Sequence, residues 1–289
     1  MESTITNSFT ITPMGQSFHL EAGKTYDGSV TVANGQYSSG DLSYTVSIVP
    51  YGVTGEQYDV DIFTEANQTQ LSKWIKFKEP SGTISPGQKT TVDFTITVPA
   101  DAPGGGQYAA IVIDTEGLEK VKSNSIDIAQ SYGLVSVIYA DVAGETVHEG
   151  SIVKHEIPTI TTQPNTESLI VFSNSGNVHE YAKVNLTITD TFSGKVIFSN
   201  KGDESLPSEV IMPGTTRALF RQIEGLPGIG IVNVEESVNY MGESSVVSHQ
   251  IFIIPFWFMA IVVFVLAGIG TLITMKVRKR KQKKVDAQI

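Results

Sequence analysis

Cysteine is absent from all 289 residues. Disulfides, thiolate-held zinc and thiol nucleophiles are therefore excluded together. Catalytic signatures are missing as well: the chain has no GxSxG elbow, no HExxH pair, no P-loop and no dinucleotide fingerprint. The five histidines (His19, His148, His155, His179 and His249) are scattered. His148 and His155 lie seven apart, which fits no common zinc spacing. Gly104-Gly105-Gly106 lacks the strand-to-helix context of a phosphate loop and reads as a turn. No cofactor is expected. Basic residues are scarce until the very end. The tail KVRKRKQKKVDAQI takes seven of the 20 Lys and Arg and one of the 30 acidic residues. What precedes it keeps 13 basic and 29 acidic residues, a net charge near −16. Such a surface repels phosphate, so nucleic acid is not an expected partner. The acidity suits a cationic partner, or serves only to keep the surface soluble.

Long apolar runs are also lacking, with one exception. Ile251 to Met275 reads IFIIPFWFMAIVVFVLAGIGTLITM, without a charge. As a helix it would span about 37 Å, enough for a hydrocarbon core of ~30 Å with some tilt. Pro255 sits near its start, where a missing N–H matters least, and Phe256 and Trp257 fall where interfacial aromatics settle. Lys276, Arg278, Lys279, Arg280, Lys281, Lys283 and Lys284 follow at once and form a stop-transfer cluster, with a headgroup site as the alternative. The basic side is then cytoplasmic and the N-terminal region extracellular, in a single-pass plasma-membrane protein. Gly268 and Gly270 do not make a GxxxG spacing. MESTITNSFT has neither a basic start nor an apolar core, so a longer natural precursor with a signal peptide is expected. A cysteine-free exported chain points towards bacteria.

Before the membrane segment the dominant pattern has period two. In Thr91 to Val98, Val92, Phe94, Ile96 and Val98 share one face and Asp93, Thr95 and Thr97 the other. Tyr44/Val46/Ile48 and Val184/Leu186/Ile188 repeat the arrangement. This alternation predicts half-buried antiparallel strands. Leu134 to Ala140 is almost continuously apolar and predicts a more buried strand. The pattern also recurs between the two halves. Each half has a strand ending in Asn followed by Gly (Asn34-Gly35; Asn174-Ser175-Gly176). Each then has a first Pro-Gly (Pro86-Gly87; Pro213-Gly214) and a second (Pro103-Gly104; Pro227-Gly228). Pro-Gly suits a type II turn, in which proline presets φ and glycine takes the positive φ.

The expected fold class is therefore all-β: two tandem Ig-like β-sandwiches followed by one C-terminal transmembrane helix. The expected divisions are 1–142 for the membrane-distal sandwich and 143–245 for the membrane-proximal one. Residues 251–275 would form the membrane helix and 276–289 the basic tail. About ten residues, Met241 to Gln250, are left to separate the second sandwich from the bilayer.

Candidate binding residues are few. Trp74 lies outside the membrane segment and with Tyr51 and Tyr58 offers rings that stack on a sugar; a sandwich core is the competing place for tryptophan. Asp59 and Asp61 share a strand face, either as oxygen ligands for calcium or as a solvated face. Asn67-Gln68-Thr69 and Asn185-Leu186-Thr187 match the N-glycosylation triplet, which carries little meaning in a bacterium.

The stretches SFTITPMGQSFHLEAGKTYDGSVTVANG and ISPGQKTTVDFTITVPADAPGGGQYAAIVI, with the NSG-to-PGT part of the second half, resemble the WxL-interacting family of bacterial surface proteins. That resemblance covers residues 1–289 in architecture. It implies a peptidoglycan-binding sandwich, a second, partner-binding sandwich, a membrane helix and a basic tail. The segment PYGVTGEQYDVDIF departs from the family's Asn/Asp/Gly-rich loop, so no binding residues carry over. No LPxTG-type sorting motif precedes the membrane segment, so retention in the membrane is expected. The leading expectation is a non-enzymatic cell-surface binding or adhesion protein that contacts wall glycan or a surface protein. The alternative is a structural or accessory subunit of a membrane complex, with the ectodomain as spacer.

Overall fold

A computed structural model describes residues 9–61, 69–116, 132–205 and 207–286. Asn67, of the first glycosylation triplet, and the first eight residues, on which the expected leader bears, lie outside the described residues. The chain is mostly β, with sandwich-like pairs of sheets and one long C-terminal helix. It forms two compact units. The first comprises residues 1–152, 171–182 and 209–218, and the second residues 153–170, 183–208 and 219–289.

Two sheets build most of the first unit. One has the order Phe9–Thr12, Thr25–Asn34, Lys89–Thr97, Ile75–Phe77; the other runs Gly15–Leu20, Tyr132–Val142, Gly105–Glu116, Leu42–Pro50, Ser81–Ile84. The alternation read from the sequence is the alternation of burial: Val92, Phe94, Ile96 and Val98 are buried, with Asp93 and Thr97 exposed between them. Their faces meet Val46, Ile111, Ile113 and Ile138 of the second sheet in one core. Burying each of these side chains contributes on the order of 1.5–3 kcal/mol.

Strand Tyr132–Val142 shows why its sequence lacks alternation. It lies inside its sheet, and both of its faces are covered. Ile138, Ala140 and Val142 join the sandwich core, whereas Val135, Val137 and Tyr139 pack on a second cluster with Tyr51, Tyr108 and Met212. A strand covered on both faces reads as a continuous apolar run.

Two further sheets have the orders Gly150–Glu156, Thr166–Asn174, Thr215–Ile223 and Ile160–Thr161, Glu243–Ile253, Gly230–Tyr240, Glu180–Asp190, Val196–Ser199, and Gly52–Thr54 pairs with Asp59–Asp61 in a small fifth one. The short strand Glu209–Ile211 also pairs with Glu180–Asp190. In the second unit the core is made by Leu186, Ile188, Val232, Val234, Ile251 and Ile253, with Ile157, Ile223 and Leu226.

The internal repeat has a structural counterpart. Asn34 ends its strand almost fully buried, and its Nδ2 donates to the carbonyls of Gly40 (3.0 Å) and Ile84 (2.9 Å). Asn174 does the same for Val178 (2.8 Å) and Ile211 (2.9 Å). In each case one amide satisfies two carbonyls that the end of the ladder leaves over. The first Pro-Gly of each half carries the expected positive φ, +75° at Gly87 and +67° at Gly214. The second Pro-Gly does not. There the left-handed backbone falls on Gly105 and Gly230, one and two residues later.

The membrane boundary also differs from the sequence expectation. Ile251 and Ile253 are not membrane helix: they belong to strand Glu243–Ile253, buried in the core of the second unit. The helix starts at Phe256 and runs to Asp286. Only Ile254 and Pro255 separate strand from helix, not a ten-residue spacer. Ile251, Phe252 and Ile253 are consecutively apolar and run almost without a break into the apolar helix, and hydropathy alone does not distinguish a protein core from a lipid one.

Candidate functional site

Of the three rings put forward for sugar stacking, Tyr51 and Tyr58 share one apolar cluster and Trp74 lies in another. Trp74 ends the short helical turn Leu71–Trp74, is 6% exposed, and packs with Leu71 and Ile75 in the sandwich core. Tyr51 is also buried, in edge-to-face contact with Tyr139 at 6.0 Å between centroids. Tyr58 is half-buried. The Arg217 guanidinium lies 4.2 Å above its ring, and its hydroxyl accepts the Met212 N–H at 2.8 Å. Arg217 is itself held by Glu209 at 2.8 Å and by the Val210 carbonyl. Burial raises the Tyr58 hydroxyl above its ordinary pKa, and the facing Arg217 opposes that rise. These rings face protein, which is the packing placement for aromatic side chains of this size.

The tyrosines form a polar-aromatic cluster with a residue that sequence reading passed over. His179 contacts Tyr108, Tyr139 and Tyr181 at 5.6, 5.5 and 5.2 Å between ring centroids. Its Nδ1 faces the Tyr108 hydroxyl at 3.3 Å and its Nε2 the Tyr181 hydroxyl at 3.2 Å. Tyr181 also meets the Ser17 hydroxyl at 2.8 Å. Burial pushes His179 down to about 4; the Asp141 carboxylate opposes this and His19 adds to it. Burial likewise raises Tyr108 and Tyr139. Burial thus favours the neutral forms of His179, Tyr108 and Tyr139. A lone histidine in the connection just before strand Glu180–Asp190 carries no signal of such partners, so sequence had no means of finding it.

Asp59 and Asp61 lie on the short strand Asp59–Asp61, paired with Gly52–Thr54. Among the described residues no group of three His, Asp or Glu side chains is arranged to hold a metal ion. Of the basic residues read from sequence as a stop-transfer cluster, Lys276 and Arg278 are on the long helix, and the backbone there stays helical through Lys279, Arg280, Lys281, Lys283 and Lys284.

One polar constellation is buried in the second unit. Glu236 is fully buried on strand Gly230–Tyr240. Its Oε2 lies 2.6 Å from His155 Nε2, and its Oε1 accepts the Ser168 hydroxyl at 2.6 Å. Among the described residues the buried His155 Nδ1 has no hydrogen-bond partner. Serine, histidine and a carboxylate are all present, but in the wrong order for nucleophilic catalysis. The hydroxyl proton goes to the carboxylate rather than to the imidazole, so nothing activates the oxygen.

The remaining feature is an open sheet edge. Among the described residues strand Val196–Ser199 ends its sheet, with only Glu180–Asp190 beside it, and exposes Val196 (53%), Ile197 (38%) and Phe198 (45%). Leu186 lies beneath it, and Asn200 Oδ1 accepts the Leu186 N–H at 2.6 Å. Across from it runs the edge of the facing sheet, Thr215–Ile223. The groove between the two edges holds about 610 Å³, with Leu186, Ile197 and Phe198 on one wall and Arg221 and Gln222 on the other. Gln222 Nε2 donates to Glu167.

From Phe256 to Lys276 the helix is long and apolar enough to cross a membrane, and none of it is buried against protein. No family model matches the sequence, and no curated protein matches it. Solved structures align with it at low identity. The class 5 fimbriae chaperone CfaA is 10% identical over 84% of this chain and 99% of its own, with a TM-score of 0.38. The E. coli chaperone DraB is 11% identical over 84% and 97%, with a TM-score of 0.39. The ASH/PapD-like domain of human CEP192 is 17% identical over 50% and 92%, with a TM-score of 0.34. None of these likenesses bears on function.

Proposed function

We propose that the protein is a non-enzymatic, single-pass surface binding or adhesion module of the plasma membrane. Its β-sandwiches stand outside, and its basic tail, with Lys276 and Arg278 leading, lies in the cytoplasm. The resemblance to WxL-interacting proteins assigns wall peptidoglycan or a surface protein as partner. The observation that carries the binding role is the apolar edge strand Val196–Ser199 beside an open groove. An edge strand presents unpaired backbone donors and acceptors, and natural sheets usually protect such edges with charge or proline. Here the edge is Val-Ile-Phe-Ser. Its chemistry suits an extended segment of a protein partner with alternating apolar side chains, added as a further strand.

The test uses the full chain, in cells for cross-linking and in detergent for binding to sacculi. Replacing Ile197 by a photo-cross-linkable residue in cells is expected to give an adduct that maps to an extended, alternating segment of one surface protein. Phe198→Asp removes it. In parallel, retention on protein-stripped sacculi that survives raised salt supports a glycan partner. No adduct and no retention would sink the binding role. Function that persists after deletion of the sandwiches would make the chain an accessory subunit instead.

A further inference from the structure

Three loops share the end of the second unit from which the helix emerges. Strand Glu243–Ile253 leads into the helix through Ile254 and Pro255 alone. Next to it, Ile160–Thr161 pairs with Phe252 and Ile253, and the Ile254 N–H donates to the Thr161 carbonyl at 2.9 Å. On its other side Gly230 pairs with Ile253, so the loop before Gly230 lies at the same level. The Thr191 N–H donates to the Ile231 carbonyl at 3.1 Å, which brings the 190–195 turn to that level too.

Two of these loops end in apolar side chains. Phe192 is 80% exposed and Ile229 is 43% exposed. The turn that carries Phe192 is built to present it. Asp190 Oδ1 accepts the N–H groups of Phe192 (3.2 Å) and Ser193 (2.7 Å) and the Ser193 hydroxyl (2.7 Å), a side-chain-closed turn with the phenyl at its tip. Ile229 sits between Gly228 and Gly230, beside Pro227. Such a tip in water gains nothing for the fold. Strands lie about 4.8 Å apart, so Phe192 is roughly two strand spacings from the strand that enters the helix. Phe256 and Trp257, 67% and 57% exposed, begin that helix.

We propose that this end of the second unit rests on the outer leaflet of the bilayer that the helix crosses, with Phe192 and Ile229 entering the headgroup region beside Trp257. The inference rests on the membrane-anchor reading above. Its ground is continuity. A two-residue junction keeps these loops within a few ångströms of the lipid surface, and interfacial apolar and aromatic side chains are favoured there. The membrane-proximal unit is then seated on the membrane rather than hung from it, and its direction relative to the surface is fixed at more than one point.

The absence of native cysteine makes the test direct. Thr191→Cys places a single thiol next to Phe192 without touching it. The full chain, labelled there with an environment-sensitive fluorophore, is reconstituted into phosphatidylcholine vesicles containing some phosphatidylglycerol. Lipids spin-labelled near the headgroup are expected to quench it several-fold more strongly than a label at Tyr37→Cys. Adding Phe192→Asp returns quenching to the Tyr37→Cys level. Leu266→Cys, labelled in the same way, reads the helix itself. If Leu266→Cys is quenched by deep labels and Thr191→Cys is not, the seating is wrong and the anchor stands. If Leu266→Cys is not quenched, the anchor reading falls and the seating with it. Concentration-dependent self-quenching at Thr191→Cys without lipid quenching would assign the patch to a second copy of the chain.

Discussion

The buried histidine of the first unit makes its stability depend on pH in a calculable way. His179 has a folded pKa of about 4 against an ordinary 6.5, chiefly because burial disfavours the imidazolium among Tyr108, Tyr139 and Tyr181. Between those values the unfolded chain binds the proton and the folded chain does not. The histidine's contribution is therefore fully present above pH 6.5 and is lost as pH falls from there towards 4. With a pKa unit equivalent to about 1.4 kcal/mol, the loss is about 2 kcal/mol at pH 5 and about 3 kcal/mol at pH 4. Of the two tryptophans, Trp74 lies in the core of the same unit, so Trp257→Phe leaves a single reporter. Urea unfolding of that full chain in detergent, followed by Trp74 fluorescence at stepped pH, gives the stability profile. His179→Phe keeps an aromatic ring in place and removes the titration. Wild type is expected to lose about 2 kcal/mol more than His179→Phe between pH 7 and pH 5, on the same linkage. Parallel profiles would refute the argument, because exposed carboxylates and the paired His19 and His148 are common to both proteins.

Two other substitutions test the buried polar groups. Asn174→Ala leaves the carbonyls of Val178 and Ile211 without their donor, and Asn34→Ala does the same to Gly40 and Ile84. Each is expected to cost about 2–3 kcal/mol in urea unfolding, and equal losses at the two sites would establish that the repeated Asn has one structural role. Glu236→Ala removes the common partner of His155 and Ser168 inside the second unit. A loss of about 3–5 kcal/mol is expected, read as faster hydrogen exchange along Gly230–Tyr240. Glu236→Gln, which keeps the shape, should lose less. Equal effects of the two would mean that the lost volume matters, not the hydrogen bonds.

The sequence alone was enough for the elements. The burial of Val92, Phe94 and Ile96 follows from a period of two, because successive side chains of a strand point to opposite faces. The paired Asn and Pro-Gly positions recur in the structure at Asn34 and Asn174 and at Gly87 and Gly214. The apolar helix was legible because no soluble surface tolerates so long an uncharged stretch. Where that helix begins was not legible. Ile251 and Ile253 are as apolar as the residues after them, and only their pairing with Gly230 and Val232 makes them strand. The site residues were hidden for a related reason. The sequence shows that Tyr51, Tyr58 and Trp74 are aromatic, but which rings meet His179 or Arg217 depends on contacts between residues far apart in the chain, 71 positions for Tyr108 and His179. Likewise, the exposure of Val-Ile-Phe at 196–198 is invisible in composition. An edge strand and a central strand share one pattern, and sheet order alone decides which of them faces solvent.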